Sequence, residues 1–274
     1  MIGCARAASQ RQLILLADQR IGSTAGSQSY TIPSGTQYID IELYGGGGGG
    51  AAGREFTSGR VVYYASGGGG GGGAYVRHGY TGARGNDVLN FVIGSAGTGG
   101  TFQLGINRPG ISGGNTSLTS LVRGAATIES FTTIIAHGGS GGSNTTSTTQ
   151  GGIGGTGGVA SGGNITNRNG NIGISGGVIN SSLILTVDGG RGASGGQNDA
   201  NLSPGVNNGG TGGVGNAASP GDATRAGVGG NGISDLIGAG GGGGGGYPGL
   251  DSAGSDSVRG STGGVGGIRI RAYG

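Results

Sequence analysis

Residues 151–159 read Gly-Gly-Ile, Gly-Gly-Thr, Gly-Gly-Val, and the same phase returns at 138–143 (Gly-Gly-Ser twice), 209–214 (Gly-Gly-Thr, Gly-Gly-Val) and 263–268 (Gly-Gly-Val, Gly-Gly-Ile). A flexible Gly/Ser linker has no reason to keep that phase. Three residues per turn is the period of the polyproline-II conformation, which rises about 3.1 Å per residue and makes no hydrogen bonds within itself. The third residue of each triplet then lines one edge, and the other two edges are bare main chain. Neighbouring rods can approach until the N–H of one meets the C=O of the next, with Cα–H to oxygen contacts as a weaker supplement. Collagen shares the period but needs one glycine in every third place and abundant proline, whereas here glycines come in pairs and long runs and Pro is scarce, 5 of 274 residues.

With 79 glycines the chain pays heavily in conformational entropy. Ordering a backbone costs about 1–2 kcal/mol per residue, and glycine loses the most freedom. A single rod is therefore disordered. Several side by side satisfy their amides reciprocally, and buried amides left unpaired would cost about as much again. The array needs an apolar nucleus to align it.

Strand patterns supply that nucleus. Across Thr36 to Tyr44, Ile39, Ile41 and Leu43 face one way and Tyr38, Asp40, Glu42 and Tyr44 the other, which predicts a half-buried strand. Ser29 to Ile32, followed by Pro33-Ser34-Gly35, reads as a short strand entering a turn, and the two together predict a hairpin. Alternation recurs at Ala74 to Tyr80, Asp87 to Ile93 and Ile268 to Tyr273, with Thr132 to His137 and Leu183 to Val187 as further candidates. Helical periodicity is absent except around Gln10 to Arg20, which fits a short helix or a first strand. The fold class expected is all-β, a β-sandwich-like framework interleaved with a polyglycine type II helix bundle and essentially no α-helix. Its parts are an N-terminal attachment segment (1–27), a β framework with the first glycine runs (28–137), the polyglycine bundle with its loops (138–264) and a C-terminal strand returning to the framework (265–274).

The remaining composition closes off several function classes. All fifteen basic residues are Arg and Lys is absent, which removes P-loop, Schiff-base and lysine-dependent kinase chemistry despite the many glycine-rich loops. Gly-x-Gly-x-x-Gly matches are inevitable at this glycine content and carry nothing without a βαβ unit. The arginines are scattered, so they read as solvated surface charge and no nucleic-acid partner is expected. Cys4 alone forms no internal disulfide. The apolar cluster Leu13 to Ala17 is shorter than a signal h-region and far short of a membrane span, so neither secretion by a signal nor membrane insertion is expected. His78 and His137 lack a cysteine cluster, and the calcium-binding nonapeptide does not recur around Asp188 or Asp251, so no metal or cofactor is expected. No nucleophile, base and acid are brought together by spacing, and the chain is not expected to be an enzyme.

Between glycine segments lie polar inserts: Arg54 to Ser66, Asn144 to Gln150, Asn164 to Ile172, Gln197 to Asn208, Asn216 to Ala226 and Tyr247 to Gly260. Rods alternating with loops put loops at rod ends, and loops on a rigid body are a binding architecture. Tyr and Arg give large, directional contacts at low entropic cost, so Arg60, Tyr63 and Tyr64, followed by Phe56, Arg168, Asn169 and Tyr247, are the expected binding residues. The competing reading makes Val61-Val62-Tyr63-Tyr64 one more strand.

Tyr30 to Gly35, Ile39 to Tyr44 running into Gly45 to Gly50, Gly67 to Gly73 running into Ala74-Tyr75-Val76, Val92-Ile93-Gly94, and Gly266 to Ile270 carry a family likeness. Over most of 28–274 the chain resembles the glycine-rich domain of phage tail-fibre and tail-tip proteins. In its triplet blocks it is similar to the polyglycine-II fibre-tip adhesins of T-even-type phages. It also looks like the glycine-rich extracellular domain of anaplastic-lymphoma-kinase-type receptors, but the disulfides and transmembrane helix of such receptors are missing. The resemblance implies a virion protein of the phage tail that recognises a host cell-surface receptor, a polysaccharide or outer-membrane protein, through its loops. It also implies contacts with other phage tail proteins and a homo-oligomer, with a trimer favoured. The alternative is a purely structural tip or spike component whose loops meet other virion proteins.

Overall fold

The computed structural model describes residues 13–22, 24–52, 54–65, 67–100, 109–144, 149–176, 178–180, 260 and 262–274. These residues are all-β, without helix. One sheet has the order β1 (Leu15–Ile21), β14 (Gly267–Tyr273), β3 (Tyr38–Tyr44), β6 (Tyr75–Tyr80), β12 (Thr166–Arg168). The second has the order β11 (Ala160–Ser161), β10 (Ile135–Ala136), β8 (Thr116–Arg123), β7 (Val88–Ile93), β2 (Gly26–Thr31), with β9 (Ala126–Ser130) also paired to β8. A third, small sheet, β13 (Val178–Asn180), β5 (Val61–Ala65), β4 (Arg54–Ser58), stands apart from both.

The two larger sheets bury Ile39, Ile41, Leu43, Val76, Ile268 and Ile270 against Leu89, Phe91, Ile93, Leu118, Leu121 and Ile134. The expected strands at 36–44, 74–80, 87–93 and 268–273 are present, and the ambiguous stretch around Gln10 to Arg20 resolves into strand β1. The Thr132 to His137 candidate shrinks to β10, and Leu183 to Val187 lies outside the described residues. The expected hairpin is not formed. β2 pairs with β7 while β3 pairs with β14 and β6, so the turn after Thr31 crosses from one sheet to the other. Ile32 is fully buried at that crossing and donates its N–H to the carbonyl of Asp87 at 2.8 Å. β8 carries no period-two signal because bulges interrupt its pairing with β7 and β9. Leu118 and Leu121, three residues apart, consequently reach the same core.

β3 is buried on both faces rather than one: Asp40 is 2% exposed and Glu42 1%. The reason lies across the register, where arginines stand beside these carboxylates. Arg77 holds Asp40 in a two-pronged bond (Nε to Oδ1 2.9 Å, Nη2 to Oδ2 2.7 Å). Arg271 reaches Asp40 at 2.9 Å and also bonds Glu42, which accepts the hydroxyl of Tyr44 at 2.6 Å. Arg269 does the same for Asp18 on β1, at 2.8 and 2.5 Å. Arg77, Arg269 and Arg271 are therefore not the solvated surface charge expected. They form a compensated ladder across β6, β3, β14 and β1, in which losing one partner would strand a buried charge.

Between the sandwich and the small sheet the chain runs in extended rods: p1 (45–52), p2 (67–74), p3 (94–100), p4 (109–115), p5 (137–143), p6 (151–159), p7 (169–176) and p8 (260 and 262–266). Every rod begins or ends on a strand of the sandwich, so odd-numbered rods run outward from it and even-numbered rods return. Their main chains bond one another with the predicted period of three. Gly45, Gly48 and Ala51 donate to Ala74, Gly71 and Gly68 on p2; Gly46 and Gly49 donate to Gly114 and Ile111 on p4; Gly47 donates to Gly264 on p8, all at 2.8–2.9 Å. In turn p1 accepts Gly97 and Gly100 of p3 and Gly139 and Gly142 of p5, at 2.8–2.9 Å. Approach this close excludes side chains: a Cβ on Gly48 would sit 2.0 Å from the carbonyl oxygen of Ser140, and one on Gly70 2.0 Å from that of Gly48. The third positions of p6 behave as the triplet reading requires, with Ile153, Thr156 and Val159 exposed and most of the glycines between them buried. The lattice takes rods from both sides of residue 138 and is not confined to 138–264.

Two predictions follow from the packing and the charges. Gly48→Ala forces a methyl into main chain and should destabilise by about 3 kcal/mol or more, whereas Ile153→Ala on the open edge should stay within about 0.5 kcal/mol; urea midpoints of the two variants give the comparison.

The second concerns acid. Asp87 is fully buried and accepts Arg123 Nε and Nη2 and the N–H of Arg84, each at 2.8 Å. The Arg123 guanidinium holds its pKa below the unfolded value near 3.8, as Arg269 does for Asp18. A carboxylate lowered in the folded state contributes stability that is complete above its unfolded pKa and is lost as pH falls through the folded one. Unfolding free energy should therefore be flat in these groups above about pH 5 and decline progressively below it, and Arg123→Gln should make that decline shallower.

Candidate functional site

The rods decide where the inserts go. p1 leaves the sandwich at Tyr44 and delivers the chain to β4; p2 starts beyond β5 and returns to Tyr75. p3 departs at Gly100 and p4 resumes at Pro109, so both ends of the connection 101–108 lie at the outer end of the bundle. p5 and p6 likewise frame 144–150, whose Asn144 Nδ2 reaches the carbonyl of Ala52 at 3.4 Å. p7 delivers the chain to β13, and p8 brings it back to β14. The connections that follow p1, p3, p5 and p7 thus leave the bundle at one pole, which we call the tip. Eight residues of rod span roughly 25 Å, which is the stand-off between sandwich and tip.

The tip sheet forms because a tight turn at Gly59, whose φ of +65° is a left-handed conformation suited to glycine, folds β4 onto β5. Arg60 follows in the same turn and is exposed. Phe56 and Tyr63 occupy directly opposed register positions, as do Glu55 and Tyr64, and β13 adds Asn180 beside Tyr63 and Ile179 beside Tyr64. Val61-Val62-Tyr63-Tyr64 is therefore a strand, as the competing reading held, and it is also a component of the tip.

The other expected binding residues are not brought to this place. Arg168 ends β12, opposite Tyr75 at the rod-side margin of the sandwich. Asn169 opens p7, and its side chain accepts the N–H of Ala160 at 2.9 Å, a bond that fixes the mouth of the rod. Both sit a rod's length from Arg60. The insert predicted over Asn164 to Ile172 is in fact strand β12 and the start of p7: Asn164 bonds Gly79 through both its amide atoms at 2.8 Å, and Asn167 grips Gly163 in the same way at 2.8–2.9 Å. Polar residues there are consumed by main chain. Tyr247, and the inserts at 197–208 and 216–226, lie outside the described residues. The connection 101–108 was not singled out from the sequence, although the interruption of glycine phase between Gly100 and Pro109 marks it.

Among the described side chains, the strong electrostatic features are remote from the tip. The buried ladder belongs to the sandwich, and burial pushes down the pKa of His78, whose ring stands edge-on to Phe131 at 5.9 Å. Among the described residues, no group of three His, Cys, Asp or Glu side chains is placed to hold a metal ion, and no helix is long and apolar enough to cross a membrane. The tip carries the short strands β4, β5 and β13, held away from the sandwich by the rods.

No curated protein matches the chain. The model of one family, described as a glycine-rich domain, matches residues 23–273, a span that takes in every rod and every strand of the sandwich except β1. The chain belongs to the glycine-rich domain family.

Proposed function

We propose that this protein is a phage virion component of the tail fibre or tail tip, a receptor-binding adhesin that presents its tip to the host cell surface. The observation that carries the reading is polarity. The long inserts between rods are launched from the tip, while β1, the first strand, lies on the far side of the stem beside β14. Sequence change in such inserts leaves the close main-chain contacts of the rods untouched, which suits a surface that must follow a changing receptor. Arg60, Phe56, Tyr63 and Tyr64 are the residues we assign to contact, and Tyr247 is a further candidate in the insert that precedes p8. The partner is a host polysaccharide or outer-membrane protein, and the first strand faces other tail proteins. We assign it no catalytic step.

The test is retention of labelled full-length protein by intact bacterial cells, with strains chosen from the host indicated by the neighbouring genes. Binding should be saturable and should drop at least tenfold for Arg60→Ala combined with Tyr63→Ala, with the melting temperature held. Protein that ignores cells and is captured only by other tail proteins would overturn the adhesin reading and leave the structural one.

A further inference from the structure

Among the described residues, glycine follows asparagine only at Asn169-Gly170, where strand β12 gives way to rod p7. That pairing is chemically unstable in an unfolded chain. Because glycine has no side chain to obstruct the approach, its main-chain nitrogen can reach the carboxamide carbon of the preceding asparagine. The nitrogen gives up its proton and bonds to Cγ, the Cγ–Nδ2 bond breaks, and ammonia leaves. The cyclic imide so formed takes up one water and opens to aspartate or to isoaspartate. Neither an oxidant nor an enzyme is needed, only access of the two atoms to each other and to water. Asn169 is exposed, so water is at hand.

Both atoms are held by the preceding stretch of chain. Gly170 donates its N–H to the carbonyl of Gly158 on p6 at 2.9 Å, and Asn169 Oδ1 accepts the N–H of Ala160 on β11 at 2.9 Å. The first bond must be given up before the nitrogen can lose its proton, and the second must be given up before the carboxamide can turn to meet it. Main chain also crowds Gly170, where a Cβ would sit 1.9 Å from the carbonyl oxygen of Gly72. Behind it the same row continues, with Gly173 and Gly176 donating to Gly155 and Gly152 at 2.8 Å. We propose that Asn169 is a guarded deamidation site, which reacts only while the foot of p7 is lifted from p6. The guard matters because isoaspartate routes the main chain through the former side chain and lengthens it by a carbon. The bonds of p7 that follow, each three residues from the last, would then lose phase with p6. The bond from Asn169 to Ala160 thus protects the stem as well as shaping the mouth of the rod.

Site-resolved mass spectrometry of the full-length protein, aged in mildly alkaline buffer, tests this by reading aspartate plus isoaspartate at position 169. Conversion in the folded protein should be slower than in the same chain unfolded in urea by about tenfold or more. Hydrogen exchange of the Gly170 amide should be slowed by a similar factor, because one opening serves both reactions. Ala160→Pro, which removes the N–H that holds Oδ1, should speed conversion several-fold in the folded protein. If that variant does not fold, the agreement between exchange and conversion in the unaltered chain carries the test. Equal conversion in folded and unfolded protein would overturn the proposal. So would slow conversion beside a fast-exchanging Gly170 amide, or a folded Ala160→Pro protein that converts no faster than the unaltered one.

Discussion

The structure depends on one contact: an N–H of one extended rod meeting a carbonyl of the next at 2.8–3.0 Å with no Cβ between them. Each such bond is modest by itself. Repeated with a period of three in several directions, it fixes the spacing of every rod against its neighbours, and a substitution within the lattice meets main chain that cannot give way. The same rule limits the bundle. Where the triplets carry Ile, Thr or Val, the edge is covered by side chains and the lattice stops, so p6 is a boundary rod and p1 an interior one. Size and shape of the stem are thus set by which glycines are paired and which are uninterrupted.

A lattice of glycine has no apolar core of its own, and the sandwich provides one. Its aliphatic interior places β3, β7, β10 and β12 so that the chain leaves in parallel directions, and β6, β8, β11 and β14 so that it returns. The ion ladder on the other face of the first sheet ties the first and last strands to its centre, since Arg269 bonds Asp18 on β1 and Arg271 bonds Asp40 and Glu42 on β3. Because rod and strand alternate along the chain, each strand pairing fixes the foot of a rod. Order in the sandwich is thereby carried into a stem that could not align itself. The reverse also holds: the rods hold β4, β5 and β13 together at a distance from the sandwich.

Much of this was legible because it depends on local pattern. Alternation at Ile39, Ile41 and Leu43 marks a strand in any context, and the Gly-Gly-x triplets of 151–159 mark a rod whose third residues face out. The failures are equally local in origin. Bulges hid β8 by breaking the period of two. Asn164, Asn167 and Asn169 looked like loop residues because their side chains satisfy main chain, a use that composition does not distinguish from solvent exposure. Asp40, Glu42, Arg269 and Arg271 looked like a solvated face because their partners are distant in sequence.

What the amino-acid sequence determined by itself was the conformational repertoire: bare edges that must be shared between rods, strands that need an apolar partner, and inserts confined to rod ends. What only the tertiary structure decided was which end each insert occupies and which rods are neighbours. Phe56, Tyr63 and Arg60 belong to the tip, and Arg168 and Asn169 to the foot of p7, because the parity of outgoing and returning rods assigns each connection to a pole. Parity is a count over the whole chain. Hydrogen bonds between rods are identical for every glycine, so no single residue can record it.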